Sequence, residues 1–308
     1  MENILIFGHK NPDTDSIVSA IVLEKMEKVM GVNNVKACRI GKINKETKYV
    51  LKYFNVQEPE YAEEIEEGQE VMLVDHNGFD QSVNGIEKAK ILKVIDHHNV
   101  AESFRTDAPL EYIAMPFGCN STILADMCRQ NNIPVDKEMA GLMLSAIVSD
   151  TLLFNSPTCT PKDKEVAEEL AKIAEVDVKK YGLDMLKAGT DLSDFSPSEL
   201  INIDSKTYST NGVKYQVAQV NTASIEDVLK SKSEIESAME SFIAENSEDL
   251  FVFLITDILE NNSQIIVAGS RKDIAEKAFG VKLEDNMAFL PGVVSRKKQV
   301  VPVIDKNI

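Results

Sequence analysis

All four histidines of the chain stand in three short stretches that also carry aspartate: GHKNPDTDS (8–16), VDHN (74–77) and IDHHN (95–99). Histidine is the commonest neutral metal ligand and carboxylate the commonest charged one, so the grouping points to one metal centre. In the first stretch the candidates are His9, Asp13 and Asp15. Pro12 keeps the segment out of helix, so it turns as a loop. The spacing lets His9 and Asp13 face one ion while Asp15 faces a second. A plainer role for Asp15 or Ser16 is to cap the helix that follows. Asp75 ends an apolar run, and its two oxygens could bridge two cations. In the third stretch Asp96 is followed by His97 and His98; successive side chains of extended chain point opposite ways, which gives the two histidines different tasks. One would be a ligand, and the other would face substrate or support the site. Asp150 closes the helical pattern GLMLSAIVSD. A carboxylate there opposes the helix dipole by ~0.3–1 kcal/mol, a penalty that a bound cation reverses.

These residues need elements that deliver them to one place. ILIF (4–7), VKACRI (35–40), VMLVD (71–75) and ILKVID (91–96) read as strands. Helical patterns over 16–30 and 46–54, and a short one near 85–90, separate them. Continuous apolar strands between helices imply a parallel sheet covered on both faces. Three longer helices follow, over 119–131, 137–150 and 161–174. The stretch AGTDLSDFSPSEL (188–200) loses periodicity, so the expected division is a domain of residues 1–188, a hinge linker 189–200 and a smaller α+β domain 201–308. That second domain opens on a hairpin (206–220) turning at Asn211–Gly212. A helix over 224–246, strands over 250–258 and 264–269, and a helix near 271–279 come next. The expected last strand is VVSRKKQVVPV (293–303). The fold class is therefore α/β.

The 308 residues carry a net charge of −17, which argues against a nucleic-acid or anionic-membrane surface. No apolar run approaches the ~20 residues of a membrane span. The N-terminus lacks a signal-peptide pattern. Cys38, Cys119, Cys128 and Cys159 have no metal-site or redox spacing, which fits a reducing, cytoplasmic setting.

Together the motifs resemble the DHH phosphoesterase superfamily. With the ending GVVSRKKQVVPV they resemble, more specifically, the family II (manganese-dependent) inorganic pyrophosphatases. The resemblance spans essentially the whole chain. It implies His9 and Asp13 as ligands of a first metal, Asp15, His97 and Asp150 as ligands of a second, and Asp75 as the bridge. It implies His98, Lys206, Arg296 and Lys297 as substrate contacts, with His98 and Asp75 at the catalytic step. The implied cofactors are two Mn²⁺, with Co²⁺ able to substitute and Mg²⁺ joining with the substrate. The implied activity is hydrolysis of pyrophosphate by a metal-bridging hydroxide as the C-terminal domain closes over the substrate. The implied assembly is a homodimer joined through the N-terminal domains.

Chemistry agrees with that expectation. Two dications bring four positive charges, which Asp13, Asp15, Asp75 and Asp150 cancel, so attraction for an anion must come from Arg296, Lys297 and Lys206. Lys298 would alternate away from Lys297 in a strand and face solvent. The rival readings are an exopolyphosphatase, or an oligonucleotide or cyclic-dinucleotide phosphodiesterase of the same superfamily. The latter relatives carry a GGGH-type motif, which this chain lacks. A metal-buffering module without turnover would not need the added basic residues.

Overall fold

A computed structural model describes residues 3–308 of the chain. It divides into two compact units, one ending at Gly189 and the other Thr190–Ile308.

The first unit is built on strands β1 (Ile4–Phe7), β2 (Val35–Arg39), β3 (Glu60–Tyr61), β4 (Glu70–Val74), β5 (Lys90–Asp96) and β6 (Glu111–Ala114). All are parallel, in the order β3-β2-β1-β4-β5-β6. Helices α1 (Thr14–Val29), α2 (Lys45–Tyr53), α3 (Asn120–Gln130), α4 (Lys137–Asp150), α5 (Pro161–Ala174) and α6 (Val178–Gly189) complete it. The four foreseen strands form the centre, where the apolar residues are fully buried: Ile6, Phe7, Leu73, Val94 and Ile95 have no exposed surface. Two strands were not foreseen, β3 and β6. They lie at the sheet edges and are largely exposed, so they lack the apolar run that marks a buried strand. The amphipathic α6 was also not foreseen. Near 85–90 the chain makes only a short 3₁₀ turn, Ile86–Lys88.

Chain order reverses between β1 and β4, which lie side by side while their connections run to opposite edges. In open parallel sheets ligands bind in the crevice beyond the strand ends at such a point. His9 follows β1 and Asp75 follows β4.

The second unit contains α7 (Pro197–Leu200), β7 (Ser205–Thr210), β8 (Val213–Thr222), α8 (Ile225–Leu229), α9 (Lys232–Asn246), β9 (Leu250–Asp257), β10 (Asn262–Gly269), α10 (Lys272–Phe279), β11 (Met287–Pro291) and α11 (Val301–Asn307). The sheet order is β11-β10-β9-β8-β7, with only β8 and β9 parallel. Leu250, Val252 and Leu254 feed one core with α10 and α11, while Phe251, Phe253 and Ile255 feed another with α9. Period-two alternation thus buries both faces of β9. Asn211 and Gly212, with φ of 48° and 84°, make the left-handed pair that a two-residue hairpin demands.

The expected last strand is corrected. Residues Arg296–Val300 form a single π turn and run into α11. Valine content suggested a strand, but Val300, Val301 and Ile304 reach the core at helical spacing. The Ser295 hydroxyl accepts from the Lys298 amide at 3.3 Å at the start of the turn. The alternation argued for Lys297 and Lys298 therefore fails, and both are exposed. The helix foreseen over 224–246 is also broken, between α8 and α9.

Candidate metal centre

Each candidate ligand of the first unit sits at the end of an element. Asp13 is the N-cap of α1, its Oδ1 accepting from the Ser16 amide at 3.0 Å. The capping role considered for Asp15 or Ser16 thus belongs to Asp13. Asp15, the second residue of α1, is fully buried. Its carboxylate accepts from the Asn120 and Ser121 amides at 2.6 and 3.1 Å, and from the Ser121 and Ser19 hydroxyls at 2.7 and 2.9 Å. The amide end of α3 therefore fixes this carboxylate, as helix N-termini fix anions. Asp75 leaves β4 with a left-handed φ of 60°, a conformation costing ~1–2 kcal/mol outside glycine and typical of residues held for function. Asp150 is the last residue of α4, and three left-handed residues follow close behind, Leu152, Leu153 and Phe154.

These residues converge. His9 Nε2 lies 3.4 Å from Asp13 Oδ2 and 3.4 Å from Asp75 Oδ2. His97 Nε2 lies 3.2 Å from Asp75 Oδ1 and 4.0 Å from Asp150 Oδ2. The two oxygens of Asp75 thus face two different imidazoles. Ligand atoms of His9, Asp13 and Asp75 lie within 4.8 Å of one another, as do those of Asp15, His97 and Asp150, and those of Asp75, His97 and His98. Asp13, Asp75, His97, His98 and Asp150 line an open cavity of about 410 Å³.

The imidazoles are oriented for ligation. Nδ1 of His9 lies 2.8 Å from the Lys10 carbonyl, and Nδ1 of His97 lies 3.0 Å from the Phe117 carbonyl. A carbonyl only accepts, so each Nδ1 carries the proton and each Nε2 faces the carboxylates. Without a cation the charges are ill at ease. Burial opposes charging of His9, yet Asp13 and Asp75 raise its pKa to about 11. Burial likewise opposes charging of His97, yet Asp75 and Asp15 raise it to about 9. Burial and the neighbouring Asp15, Asp75 and Asp13 push the Asp150 carboxyl well above the usual range. Asp75 Oδ1 is buried with no hydrogen-bond partner. An orphaned carboxylate oxygen between two imidazoles, among mutually repelling acids, is chemically matched to divalent cations.

Two sequence expectations are corrected here. His76 does not join the centre: Nδ1 donates to the Val74 carbonyl at 2.9 Å, and Nε2 lies 3.0 Å from the Ser82 hydroxyl. Burial lowers its pKa to about 4, so it is a neutral packed ring. His97 and His98 do not point opposite ways, because the strand ends at Asp96. Their ring centroids are 4.1 Å apart, and His98 Nδ1 also lies 3.7 Å from Asp75 Oδ1. They differ in exposure instead, His97 mostly covered and His98 half open.

Supporting residues escaped sequence reasoning. Asp96, fully buried, takes the His98 amide and Nδ1 at 3.0 Å each, leaving Nε2 of His98 free of that bond. Asn77 donates to Asp96 at 2.6 Å and accepts from the Ala101 amide at 2.6 Å, tying the two strand-end loops together. The echo of VDHN in IDHHN was the available signal. Asp163 holds the Gly118 amide at 2.9 Å beside the carbonyl that orients His97.

In the second unit, Arg296 donates to Asp204 Oδ1 at 2.7 Å and to the Tyr208 hydroxyl at 2.9 Å. Lys206 Nζ stands 5.9 Å from the centre of the Tyr208 ring. Lys297 extends from the π turn, exposed.

A parallel sheet with candidate His and Asp ligands at its switch point, followed in the chain by a second sheet domain, is the arrangement expected of a DHH-type phosphoesterase. The sequence matches the DHH family, N-terminal domain over residues 3–147 and the DHHA2 domain over residues 183–307. It is 52% identical over 305 residues to the manganese-dependent inorganic pyrophosphatase of Bacillus subtilis (strain 168), covering 99% of this chain and 98% of that one. A Methanococcus jannaschii protein assigned to the family II inorganic pyrophosphatases has a crystal structure matching at a TM-score of 0.62 and 41% identity, over 100% of this chain and 99% of that one. An exopolyphosphatase-related protein from Bacteroides fragilis, 14% identical with a TM-score of 0.50 over 99% of this chain and 91% of that one, shares the fold. The chain belongs to the family II, manganese-dependent inorganic pyrophosphatases.

Proposed function

We propose that the protein hydrolyses pyrophosphate to two phosphates on a pair of manganese ions. The observation that carries this reading is Asp75, whose two oxygens face His9 and His97 while one of them lacks any hydrogen bond. His9, Asp13 and Asp75 would hold one ion; Asp15, His97, Asp150 and the shared Asp75 would hold the other. Co²⁺ would serve in their place, and Mg²⁺ would arrive with the substrate. When bound, such a pair acidifies a shared water and withdraws charge from the phosphoryl oxygens.

The chain's own groups do the rest. His98, with Nδ1 held by Asp96, presents Nε2 to the substrate and delivers a proton to the departing phosphate. The His98–Asp96 hydrogen bond raises the imidazole's pKa, against burial, which favours the protonated ring that this donation requires. Arg296 grips a phosphate at two points, and Lys206 and Lys297 add point charges. In this role Arg296 exchanges its Asp204 partner for substrate. Closure of the second unit about the linker brings these cations to the metal centre and excludes water. Small-angle scattering of the manganese-loaded protein should show a smaller radius of gyration with a non-hydrolysable pyrophosphate analogue; superimposable profiles would count against closure.

The deciding assay measures phosphate release from pyrophosphate, tripolyphosphate and a dinucleotide after manganese loading. Strong preference for pyrophosphate is expected, and equal rates on tripolyphosphate would favour a polyphosphatase. Asp75→Ala and His97→Gln should impair manganese binding, whereas Arg296→Ala should spare the metal and raise KM. Unchanged pyrophosphate turnover in all three variants would overturn the assignment. The protein is further proposed to be a cytoplasmic homodimer joined through its first units. All four cysteines are free thiols, which suits a reducing compartment, and sedimentation at micromolar concentration tests the dimer.

A further inference from the structure

Glu46 lies outside every motif that marks the metal centre, on the first turn of α2. The helix does not need it as a cap, because Asn44 already accepts the Thr47 amide at 2.8 Å. The Glu46 carboxylate turns inward instead. Its Oε1 accepts from the Thr14 hydroxyl at 2.6 Å and, through a further short hydrogen bond, from the Ser149 hydroxyl. Thr14 is fully buried and is also 3.1 Å from the Thr47 hydroxyl. Thr14 immediately precedes Asp15, and Ser149 immediately precedes Asp150. One oxygen atom therefore joins the two backbone segments that carry the carboxylates of the Asp15–His97–Asp150 group.

The same side chain is braced from behind. A Cβ added to Gly189 would stand 2.8 Å from Glu46 Cβ and 3.0 Å from Oε2. Gly189 is the final residue of both α6 and the first unit. Its lack of a side chain is what allows α2 and α6 to meet at this point. The residue where the chain leaves the first unit thus packs on the group that spans Thr14 and Ser149.

We propose that Glu46 is a positioning residue for one of the two metal ions, setting the separation of Asp15 and Asp150 through the Thr14 and Ser149 hydroxyls. It touches neither substrate nor ion. The proposal rests on the two-ion reading above and adds to it a residue that governs one ion more than the other. Of the other group, His9 has no hydrogen bond to Glu46 among the described residues, and Asp13, next to Thr14 in the chain, acts on Glu46 through charge alone. Partners that orient ligands in this way are worth about 10- to 100-fold in metal affinity.

The test is calorimetric titration of manganese into metal-stripped full-length protein, with no turnover required. Wild type is expected to take up two ions. Glu46→Leu should weaken one of them about 10- to 100-fold and leave the other within a few fold. Glu46→Gln, whose amide oxygen can accept from both hydroxyls, should recover most of the loss. Ser149→Ala, which keeps Glu46 and removes one hydrogen bond, should shift the same ion by a smaller factor. It also keeps the question answerable should the leucine variant fail to fold. Gly189→Ala should weaken that ion as well, by displacing Glu46 without removing any polar group. Two tight ions in both Glu46→Leu and Ser149→Ala would overturn the proposal while leaving the two-ion reading intact. Equal weakening of both ions, or no recovery with glutamine, would reduce Glu46 to a general structural role. A single ion in wild type would instead sink the two-ion reading and the proposal with it.

Discussion

At the scale of single residues, the metal-free centre stores protons where cations would stand. Against burial, the carboxylates around His9 and His97 hold them at about 11 and about 9, well above the ordinary imidazole value of 6.5. Both must lose a proton to ligate, so manganese uptake by the stripped protein should release protons at neutral pH. The release should fade in two stages as pH rises through about 9 and about 11. Titration calorimetry in buffers of different ionisation enthalpy measures it. The sign for stability is the same: raised imidazoles stabilise the stripped fold fully below their unfolded value, and this is lost as pH climbs through the folded values. Ligand candidates were legible in the sequence because histidine is scarce and stood beside aspartate at strand ends. His76 shares that company, yet its ring turns into the protein between Val74 and Ser82, which neighbouring letters alone do not reveal. Asp163 was illegible because its partner Gly118 is remote in sequence, whereas Asp96 and Asn77 left only the echo of VDHN in IDHHN as a signal.

Among the elements, α4 shows how tightly a ligand-bearing helix is seated. A Cβ at Gly141 would lie 2.1 Å from the Phe54 ring, just past the end of α2. Gly141→Ala should therefore destabilise by ~1–3 kcal/mol through overpacking, despite alanine's better helix propensity, and urea titration reads it directly. Between α1 and the sheet, Lys93 Nζ lies 2.5 Å from Glu27 and 3.0 Å from Glu111. Lys93→Met strands the buried Glu27 carboxylate and should cost ~3–5 kcal/mol. Burial disfavours the charged lysine, but the hydrogen bonds to Glu27 and Glu111 raise its pKa above 10.5. The stabilisation is thus complete below 10.5 and lost as pH rises through the folded value. Wild type should show an alkaline loss of melting temperature that this variant lacks. Strong apolar periodicity made the central strands and the helices over 119–174 readable. The stretch 293–303 misled because β-branched residues serve a helix as readily once one face is buried, and Pro302 sits acceptably in its first turn.

Across the whole molecule, the family and the pairing of a parallel-sheet unit with a smaller one were legible, since each motif marked its own unit. The state of the cations was not. Arg296 is held by Asp204 and Tyr208, neither of which the sequence singled out. Asp204→Asn should therefore lower KM for pyrophosphate several-fold at low ionic strength, with manganese affinity unchanged; steady-state kinetics beside metal titration checks both. The ligand set itself has a wider consequence. Its members run from His9 to Asp150, so ions seated there fasten the ends of β1, β4, β5 and α4 across most of the first unit. Manganese a thousandfold above its dissociation constant adds ~4 kcal/mol to the folded state. Chelation should then speed amide hydrogen exchange at these element ends and expose the chain to proteases, tying the enzyme's lifetime in a cell to the local supply of the ion.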